Sequence, residues 1–326
     1  MRSYFRNIRN LAKLIDMVNI VVETSYFGNF AQADDPKVLI IPVPYEYTTS
    51  HIKGTKNGPQ AIINASTHLE AFDEELWTDI SKVGINTSNF INCEFVTNKS
   101  KQPFVEIEEV IRSTIIGGFL PVIIGGEHSI SYGAIKAIYD LYPDVSVLYF
   151  SSHADLKENN LNNKFNHCCT LKRICEAMPD LKIVQVGLRS ISKEEAEFIE
   201  KTTSPNIEMY FAKDKEKWSL SEILASLTKN VYISFDFNVL DPGIMPSCTN
   251  PEPGGLSFEK ATDIIKNVCA FKEIVGIDLV GYSPLQGILA PDYLAAKLIY
   301  KSIGYAFARQ LGVFDENKKE PLVEVG

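Results

Sequence analysis

Three segments of the chain place histidine, carboxylate or amide side chains in or directly after an apolar run. They read Gly-Gly-Glu-His-Ser at 125–129, Ser-Ser-His-Ala-Asp at 151–155 and Ser-Phe-Asp-Phe-Asn at 234–238. His153 and Asp155 are two residues apart, so in extended chain their side chains leave the same face and can converge on one ion. Imidazole and carboxylate donors together favour Mn, Zn, Ni or Fe(II) over Ca or Mg. The pattern predicts a hydrolytic metal centre built from three strand ends.

Each segment also has a purely structural interpretation. His128 could cap the helix that follows the double glycine, and Asp236 could accept backbone hydrogen bonds at the end of its strand. One segment alone would favour that interpretation. Three independent segments of the same kind favour a metal-binding origin.

Short, almost continuous apolar runs predict strands that are buried on both faces, which is typical of a mainly parallel sheet. These runs are Val38–Val43, Leu120–Ile124, Val145–Phe150, Ile183–Val186, Val231–Phe237 and Ile274–Val280. Segments with helical periodicity lie between them, namely Val105–Ile116, Ile130–Tyr139, Lys193–Lys201, Leu220–Leu227, Phe258–Ala270 and Asp292–Phe307. The alternation predicts an α/β fold with helices on both faces. Ligands of such sheets bind beyond the carboxyl ends of the strands, where the three segments lie.

The composition excludes several classes of protein. The 326 residues are 45% hydrophobic and 22% charged with a net charge of -9, which argues against a disordered chain and against a nucleic-acid partner. No apolar run is long enough to predict a membrane span. Six scattered cysteines indicate a reduced, cytoplasmic protein. The basic start, MRSYFRNIRNLAKLIDM, is either an amphipathic helix or a mitochondrial transit peptide.

Further motifs occur in a characteristic order. They are VPYEYTTSHIKGTKNGPQAI at 43–62, LEAFDEEL at 69–76, IVQVGLRS at 183–190 and PEPGGL at 251–256. Together with the three segments above, they resemble the arginase/agmatinase (ureohydrolase) family, and IVQVGLRS is similar to its agmatinase branch. The resemblance implies a three-layer α/β/α sandwich with a mainly parallel central sheet. It implies a single domain over 31–326 after an N-terminal extension at 1–30, and a homo-oligomer, trimeric or hexameric.

The resemblance also implies two Mn(II) ions at the carboxyl edge of the sheet and hydrolysis of a linear guanidino compound to urea. In that scheme His128, Asp155 and Asp236 bind one ion, and His153 with Asp236 helps to bind the other. Asp155 is then part of the catalytic centre. His167 corresponds to a histidine near the substrate that assists proton transfer.

Three positions depart from the family pattern. Ser151 replaces a carboxylate that bridges both ions, Asn238 replaces an aspartate of the second ion, and Gly281 replaces a substrate-binding glutamate. Two ions roughly 3.5 to 4 Å apart repel each other and need anionic ligands. Since only two of four carboxylates are kept, we predict zero or one Mn ion per chain, and expect activity to require glutamate at position 281.

Other side chains of the crevice have two interpretations each. Cys168 and Cys169 could supply thiolate to Zn or be small buried side chains. Glu127 could reach the crevice or serve the first-turn amides of the helix that follows. Asp278 and Glu158 are further carboxylates that could reach it, although Asp278 lies in mid-strand, where a structural role is expected.

Two functions follow as hypotheses. The first is a metal-dependent hydrolase of a linear guanidino or amidino C–N bond, with a small cationic guanidino or amine compound as substrate. The second is an inactive relative that binds a small ligand or acts as a regulatory subunit. Gly281, His51 and Asn159 are weaker candidates for substrate contact, because the last two lie in loops expected to border the crevice.

Overall fold

The computed structural model describes residues 25–28, 35–49, 51–93, 103–201 and 206–313. Its strands are β1 (Val38–Val43), β2 (Phe72–Asp73), β3 (Thr78–Asp79), β4 (Ile85–Thr87), β5 (Leu120–Gly125), β6 (Val145–Phe150), β7 (Lys182–Leu188), β8 (Ile207–Phe211), β9 (Asn230–Asp236) and β10 (Glu273–Val280). Its helices are α1 (Gly58–Ser66), α2 (Phe104–Ile116), α3 (Ser131–Leu141), α4 (Thr170–Ala177), α5 (Lys193–Lys201), α6 (Leu220–Ser226), α7 (Phe258–Phe271) and α8 (Ala290–Ala306).

Eight strands form one sheet in the order β4-β1-β5-β10-β9-β6-β7-β8. Each pairing in this sheet is parallel. The four central strands are therefore β5, β10, β9 and β6, and their carboxyl ends meet at one edge. The short strands β2 and β3 form a separate antiparallel pair.

The sheet is buried on both faces. Alternate residues of β1 belong to different cores, with Val38 and Ile40 in one and Leu39 and Ile41 in the other. Helices α1, α6, α7 and α8 contribute buried side chains to the first core, and α2, α3 and α4 to the second. The predicted three-layer α/β/α sandwich is confirmed, and in the described residues the main sheet is parallel throughout.

All six predicted strands and all six predicted helices are present, with ends that differ by at most two residues. The predictions omitted β8, β4, α1 and α4, together with the short β2–β3 pair. The basic start of the chain lies outside the described residues, and the domain boundary after residue 30 stays a prediction. No helix within the described ranges has the length and apolar character needed to cross a membrane.

Candidate functional site

A cleft of about 390 Å³ opens at the carboxyl edge of the four central strands. It brings together nine residues singled out in the sequence: Glu127, His128, His153, Asp155, His167, Cys168, Asp236, Asn238 and Gly281. His128 follows β5, the segment 151–155 follows β6, Asp236 ends β9 and Gly281 follows β10. The parallel sheet thus positions side chains that are up to 153 residues apart in sequence.

Six of the candidate residues do not line the cleft: His51, Ser151, Glu158, Asn159, Cys169 and Asp278. His51 and Asn159 are exposed on loops outside the lining, and their contact with a substrate stays a prediction. Ser151 is fully buried and lies behind the wall, where its hydroxyl accepts a hydrogen bond from the backbone N–H of His153 at 3.1 Å. Both loops are long enough to turn away from the cleft, which sequence spacing does not reveal.

One end of the cleft is a charged cluster. His128 Nδ1 lies 3.1 Å from Asp236 Oδ2 and 3.3 Å from Asp155 Oδ2, and each of the three residues is only 4% exposed. Burial alone would lower the pKa of His128, but hydrogen bonds to Asp155 and Asp236 raise it to about 10. Burial raises and the His128 contact lowers the pKa of Asp155, with a net decrease. An imidazolium between two carboxylates therefore holds this end together at neutral pH.

A second layer of buried polar groups fixes the His128 ring. The Tyr149 ring stacks on it with centroids 4.7 Å apart, and the Tyr149 hydroxyl donates to Asp155 Oδ2 at 2.9 Å. On the other side, His128 Nε2 lies 3.3 Å from Ser234 Oγ, which donates to Asp278 Oδ1 at 2.9 Å. Asp278 is fully buried and does not line the cleft, so its expected structural role is that of orienting Ser234.

The backbone also contributes to this end. Asp155 has φ 54°, a left-handed conformation that costs a non-glycine residue roughly 1 kcal/mol. The Asp155 carboxylate lies 3.3 Å from His128 Nδ1. Strain of this kind is typical of functional sites, where the surrounding contacts must maintain it.

The other end of the cleft is neutral and centres on Asn238. Its Oδ1 accepts from the backbone N–H of Ser152 at 2.9 Å. Its Nδ2 donates to Asp236 Oδ2 at 2.8 Å and lies 3.0 Å from His153 Nδ1. Asp236 is therefore shared by both ends, because its Oδ2 also contacts His128.

Neutral groups stand at two of the positions where the sequence lacks an expected carboxylate. Asn238 presents an N–H group where a second ion would need a ligand, and Ser151 is neutral. In the described part of the chain, no group of three or more His, Cys, Asp and Glu side chains stands arranged to hold a metal ion. At the His128 end, an ion would have to displace the proton between His128 and its two carboxylates. The imidazole and two carboxylates left by that displacement fit Mn-type coordination.

His167 lies on a wall of the cleft and is held by a chain of hydrogen bonds. Its Nδ1 lies 3.0 Å from Thr48 Oγ1, and that hydroxyl donates to Glu127 Oε1 at 2.7 Å. Because the Thr48 hydrogen is directed to Glu127, the Nδ1 of a neutral His167 is the donor to Thr48. The Nε2 atom of His167 is then the basic nitrogen.

Glu127 reaches the cleft, as the first of its two interpretations predicted, and does not serve the amides of the turn that follows. It bounds the short turn at His128–Ile130 but makes no side-chain cap hydrogen bond there. Its Oε2 instead accepts from the backbone N–H groups of Tyr47 at 2.7 Å and Thr48 at 2.5 Å. The carboxylate ties the loop after β1 to the cleft wall, which only tertiary structure reveals.

The cysteines near His167 fit the structural interpretation. Cys168 lines the cleft and Cys169 is buried, and neither forms a disulfide. A hydrogen bond to Cys169, together with burial, raises the pKa of Cys168. A neutral thiol is a poor metal ligand, so this contact does not favour the Zn alternative.

The sequence predictions missed three polar residues of the lining, Thr49, Thr249 and Asn250. The last two lie in a loop that Arg189 holds in place. The Arg189 guanidinium donates to six backbone carbonyls, those of Gly187, Asn238, Val239, Leu240, Glu252 and Pro253. Arg189, in the Gly-Leu-Arg-Ser stretch, was the sequence feature that could have pointed to this loop.

Gly281 is required by the local geometry. Its φ is +77°, and a Cβ built there would lie 2.3 Å from Asp236 Oδ1. Glutamate at this position would force Asp236 to move and would strain the backbone. Restoring a glutamate at this position would therefore also require Asp236 to shift, and the requirement of glutamate 281 for activity stays a prediction.

Comparison with known proteins agrees with this architecture. Residues 36–304 match the Arginase family. The chain is 32% identical over 284 residues to the N(1)-aminopropylagmatine ureohydrolase of Synechocystis sp., covering 83% of this chain and 89% of that protein. It is 33% identical to a protein of the same description from Thermus thermophilus, covering 84% and 93%. The agmatine ureohydrolase structure of Thermoplasma volcanium superimposes with a TM-score of 0.77 at 25% identity, covering 92% and 98%.

Proposed function

Because this chain belongs to the arginase family, we propose that it is an agmatinase-type hydrolase that cleaves a C–N bond of a linear guanidino compound. The observation that supports this most directly is the convergence of His128, Asp155, Asp236 and His167 on one cleft. Similar proteins are described as N(1)-aminopropylagmatine ureohydrolases and agmatinases, which fits the same substrate class.

The charge of the cleft supports a cationic substrate. Asp155 and Asp236 are buried carboxylates that face the cleft, and Glu252 stands 4.0 Å from His153 Nε2. A guanidinium group offers planar N–H donors that match carboxylate oxygens.

His167 is the residue we assign to proton transfer. With Nδ1–H held by Thr48, its Nε2 can take a proton from a water molecule as that water attacks the guanidinium carbon. The same nitrogen can then return the proton to the departing amine as the C–N bond breaks. The products are urea and an amine, and no oxidant or reductant is needed.

At most one metal ion takes part in this proposal, at the His128 end. We assign Mn(II), with Zn(II) as the alternative. A divalent ion bound there would lower the pKa of a water molecule next to the substrate. The chain's own contribution is the oriented His128 ring, fixed by Tyr149 and Ser234.

A second candidate function is a binding protein without turnover, either for a small cation or as a regulatory subunit. The observation that favours it is the complete hydrogen bonding of both ends of the cleft by protein groups. The hydrolase remains the first proposal because His167 lines the cleft and its Nδ1 is held by Thr48.

The test measures urea release after loading with excess Mn(II), with agmatine, N(1)-aminopropylagmatine and arginine as substrates. We expect turnover of the first two and weaker turnover of arginine, since similar proteins are described as N(1)-aminopropylagmatine ureohydrolases and agmatinases. His167→Gln should reduce kcat about 100-fold or more, since general acid–base catalysis contributes that much. The matched control is His68→Gln at an exposed position outside the cleft. Binding of agmatine without urea from any substrate would favour the second candidate.

Two further properties remain proposals of the same kind. We propose a homo-oligomer, trimeric or hexameric, which light scattering of the purified chain would test. We propose a cytoplasmic location, with a mitochondrial one as the alternative, which a fluorescent fusion of the complete chain would distinguish.

A further inference from the structure

We infer that the side-chain amide of Asn238 takes the place of a second metal ion at the His153 end of the cleft. The hydrogen bonds at this end are made between protein groups, and they leave no place for an ion. These hydrogen bonds, more than the small number of carboxylates, are the reason that an ion is excluded. The inference goes beyond the proposed function, because it concerns what fills this position whether or not the chain turns over a substrate.

The contacts of Asn238 fix the orientation of its amide. Oδ1 accepts from the backbone N–H of Ser152 at 2.9 Å, and only an acceptor can face that group. Nδ2 must then face the opposite way, where it lies 2.8 Å from Asp236 Oδ2 and 3.0 Å from His153 Nδ1. The two hydrogens of the amide nitrogen match these two acceptors.

The two acceptors are the atoms that an ion would need. A carboxylate oxygen and an unprotonated imidazole nitrogen are standard ligands of divalent metals. The NH₂ group presents partial positive charge to both, as an ion would, and Asn238 as a whole is only 3% exposed. An incoming ion would have to break these contacts and would then face an amide hydrogen.

This arrangement also sets the tautomer of His153. Since Nδ1 accepts from Asn238, the proton of the neutral ring lies on Nε2, which is 4.0 Å from Glu252 Oε1. Ser152 Oγ is also within 2.9 Å of Nδ1 and supports the same ring position. If His153 bound a metal ion through Nδ1, that nitrogen would lose its contacts with Asn238 and Ser152.

Ser151 provides a matched contrast to Asn238. It is equally neutral and buried, but its hydroxyl contacts Asp155 Oδ2 at 3.5 Å and the backbone of His153 at 3.1 Å. Aspartate at 151 and aspartate at 238 each add one negative charge near the cleft. Only the second removes the amide from the position of the ion.

The first experiment counts Mn(II) per chain after equilibrium dialysis against excess Mn(II). It compares the unchanged protein, Ser151→Asp, Asn238→Asp and the double variant as positive control, each checked for folding by circular dichroism. We expect Asn238→Asp to hold one ion more than the unchanged protein, and Ser151→Asp to hold no more than it. A second ion in the unchanged protein or in Ser151→Asp overturns the inference, as does its absence from folded Asn238→Asp.

The second experiment needs no folded variant at position 238 and no turnover. The chain has five histidines, so ¹⁵N spectra of histidine-labelled protein are simple to assign with His153→Gln as reference. We expect His153 in the Nε2–H tautomer, with an Nδ1 resonance that does not shift when diamagnetic Zn(II) is added to saturation. A Zn(II)-induced shift to a metal-bound Nδ1 overturns the inference.

Discussion

The two ends of the cleft share Asp236 but bury their polar groups in opposite ways. At the His128 end a proton lies among one imidazole and two carboxylates, so the cluster is charged and a cation can replace the proton. At the His153 end a neutral amide donates to an imidazole and a carboxylate, so nothing there can be exchanged for an ion without breaking the network. The contrast between the two ends indicates that, where a metal ligand is replaced, the chemistry of the new group decides whether an ion can still bind.

The largest loss of stability is expected for Asp236→Asn, because this substitution changes the contacts at both ends of the cleft. The new amide cannot accept from His128, Asn238 Nδ2 and Asn238 N together, so a buried donor loses its partner. We expect about 3 to 5 kcal/mol less free energy of unfolding, as for a broken buried ion pair. Urea denaturation measures this, with exposed Asp180→Asn as the control. Equal losses of unfolding free energy in the two variants would mean that Asp236 does not link the two ends of the cleft.

The next effect separates the backbone from the site. Gly281→Ala adds a Cβ 2.3 Å from Asp236 Oδ1 at φ +77°, and Gly254→Ala adds one at φ +80° with no atom within 4 Å. Both variants incur about 1 kcal/mol of left-handed strain. We expect Gly281→Ala to lose a further 1 to 2 kcal/mol or so of unfolding free energy, in the usual range for overpacking. Calorimetry of the pair gives the difference. If the two variants lose the same unfolding free energy, the Asp236 side chain can move away from the added Cβ.

A smaller effect tests the proton at the His128 end of the metal-free chain. Hydrogen bonds to the carboxylates outweigh burial and raise the pKa of His128 from 6.5 to about 10. Its contribution to stability is therefore complete below pH 6.5 and is lost as the pH rises through about 10. Denaturation with chelator present should show the free energy of unfolding falling across this range, and His128→Gln should remove the fall. A flat profile in the unchanged protein would contradict the charged cluster.

The smallest effect is expected where the loops turn away from the cleft. His51→Ala and Asn159→Ala should change the dissociation constant for agmatine by less than about twofold, as is usual for exposed sites. Asn250→Ala, at a residue that lines the cleft, should weaken binding more than either. Isothermal titration calorimetry compares the three. A stronger loss from His51→Ala would mean that its loop closes over the ligand.

The sequence was sufficient for the elements that are buried on both faces. β1 and β6 were predicted residue for residue, because a continuous apolar run has few alternatives. β8 was missed because it lies at the sheet edge and is only partly buried along most of its length. α1 was missed because it begins at Gly58-Pro59, in a stretch that is typical of loops.

Only those residues of the site that lie at strand ends could be predicted from the sequence. His128, Asp155 and Asp236 meet because parallel strands end at one edge, which the pattern indicated. Which atom of the Asn238 amide faces His153 depends on the backbone N–H of Ser152, 86 residues away. The places of Thr249 and Asn250 depend on a loop held by Arg189 from another strand end. Contacts of this kind have no local sequence signal.

The strand order has a consequence for how the chain is made. β5 and β6 follow one another in the chain, but β10 and β9 lie between them in the sheet. A ribosome therefore releases His128 and the 151–155 segment well before the two strands that must separate and align them. During synthesis these residues have no cleft to line until β9 and β10 have been made, so the site forms only after most of the chain has left the ribosome.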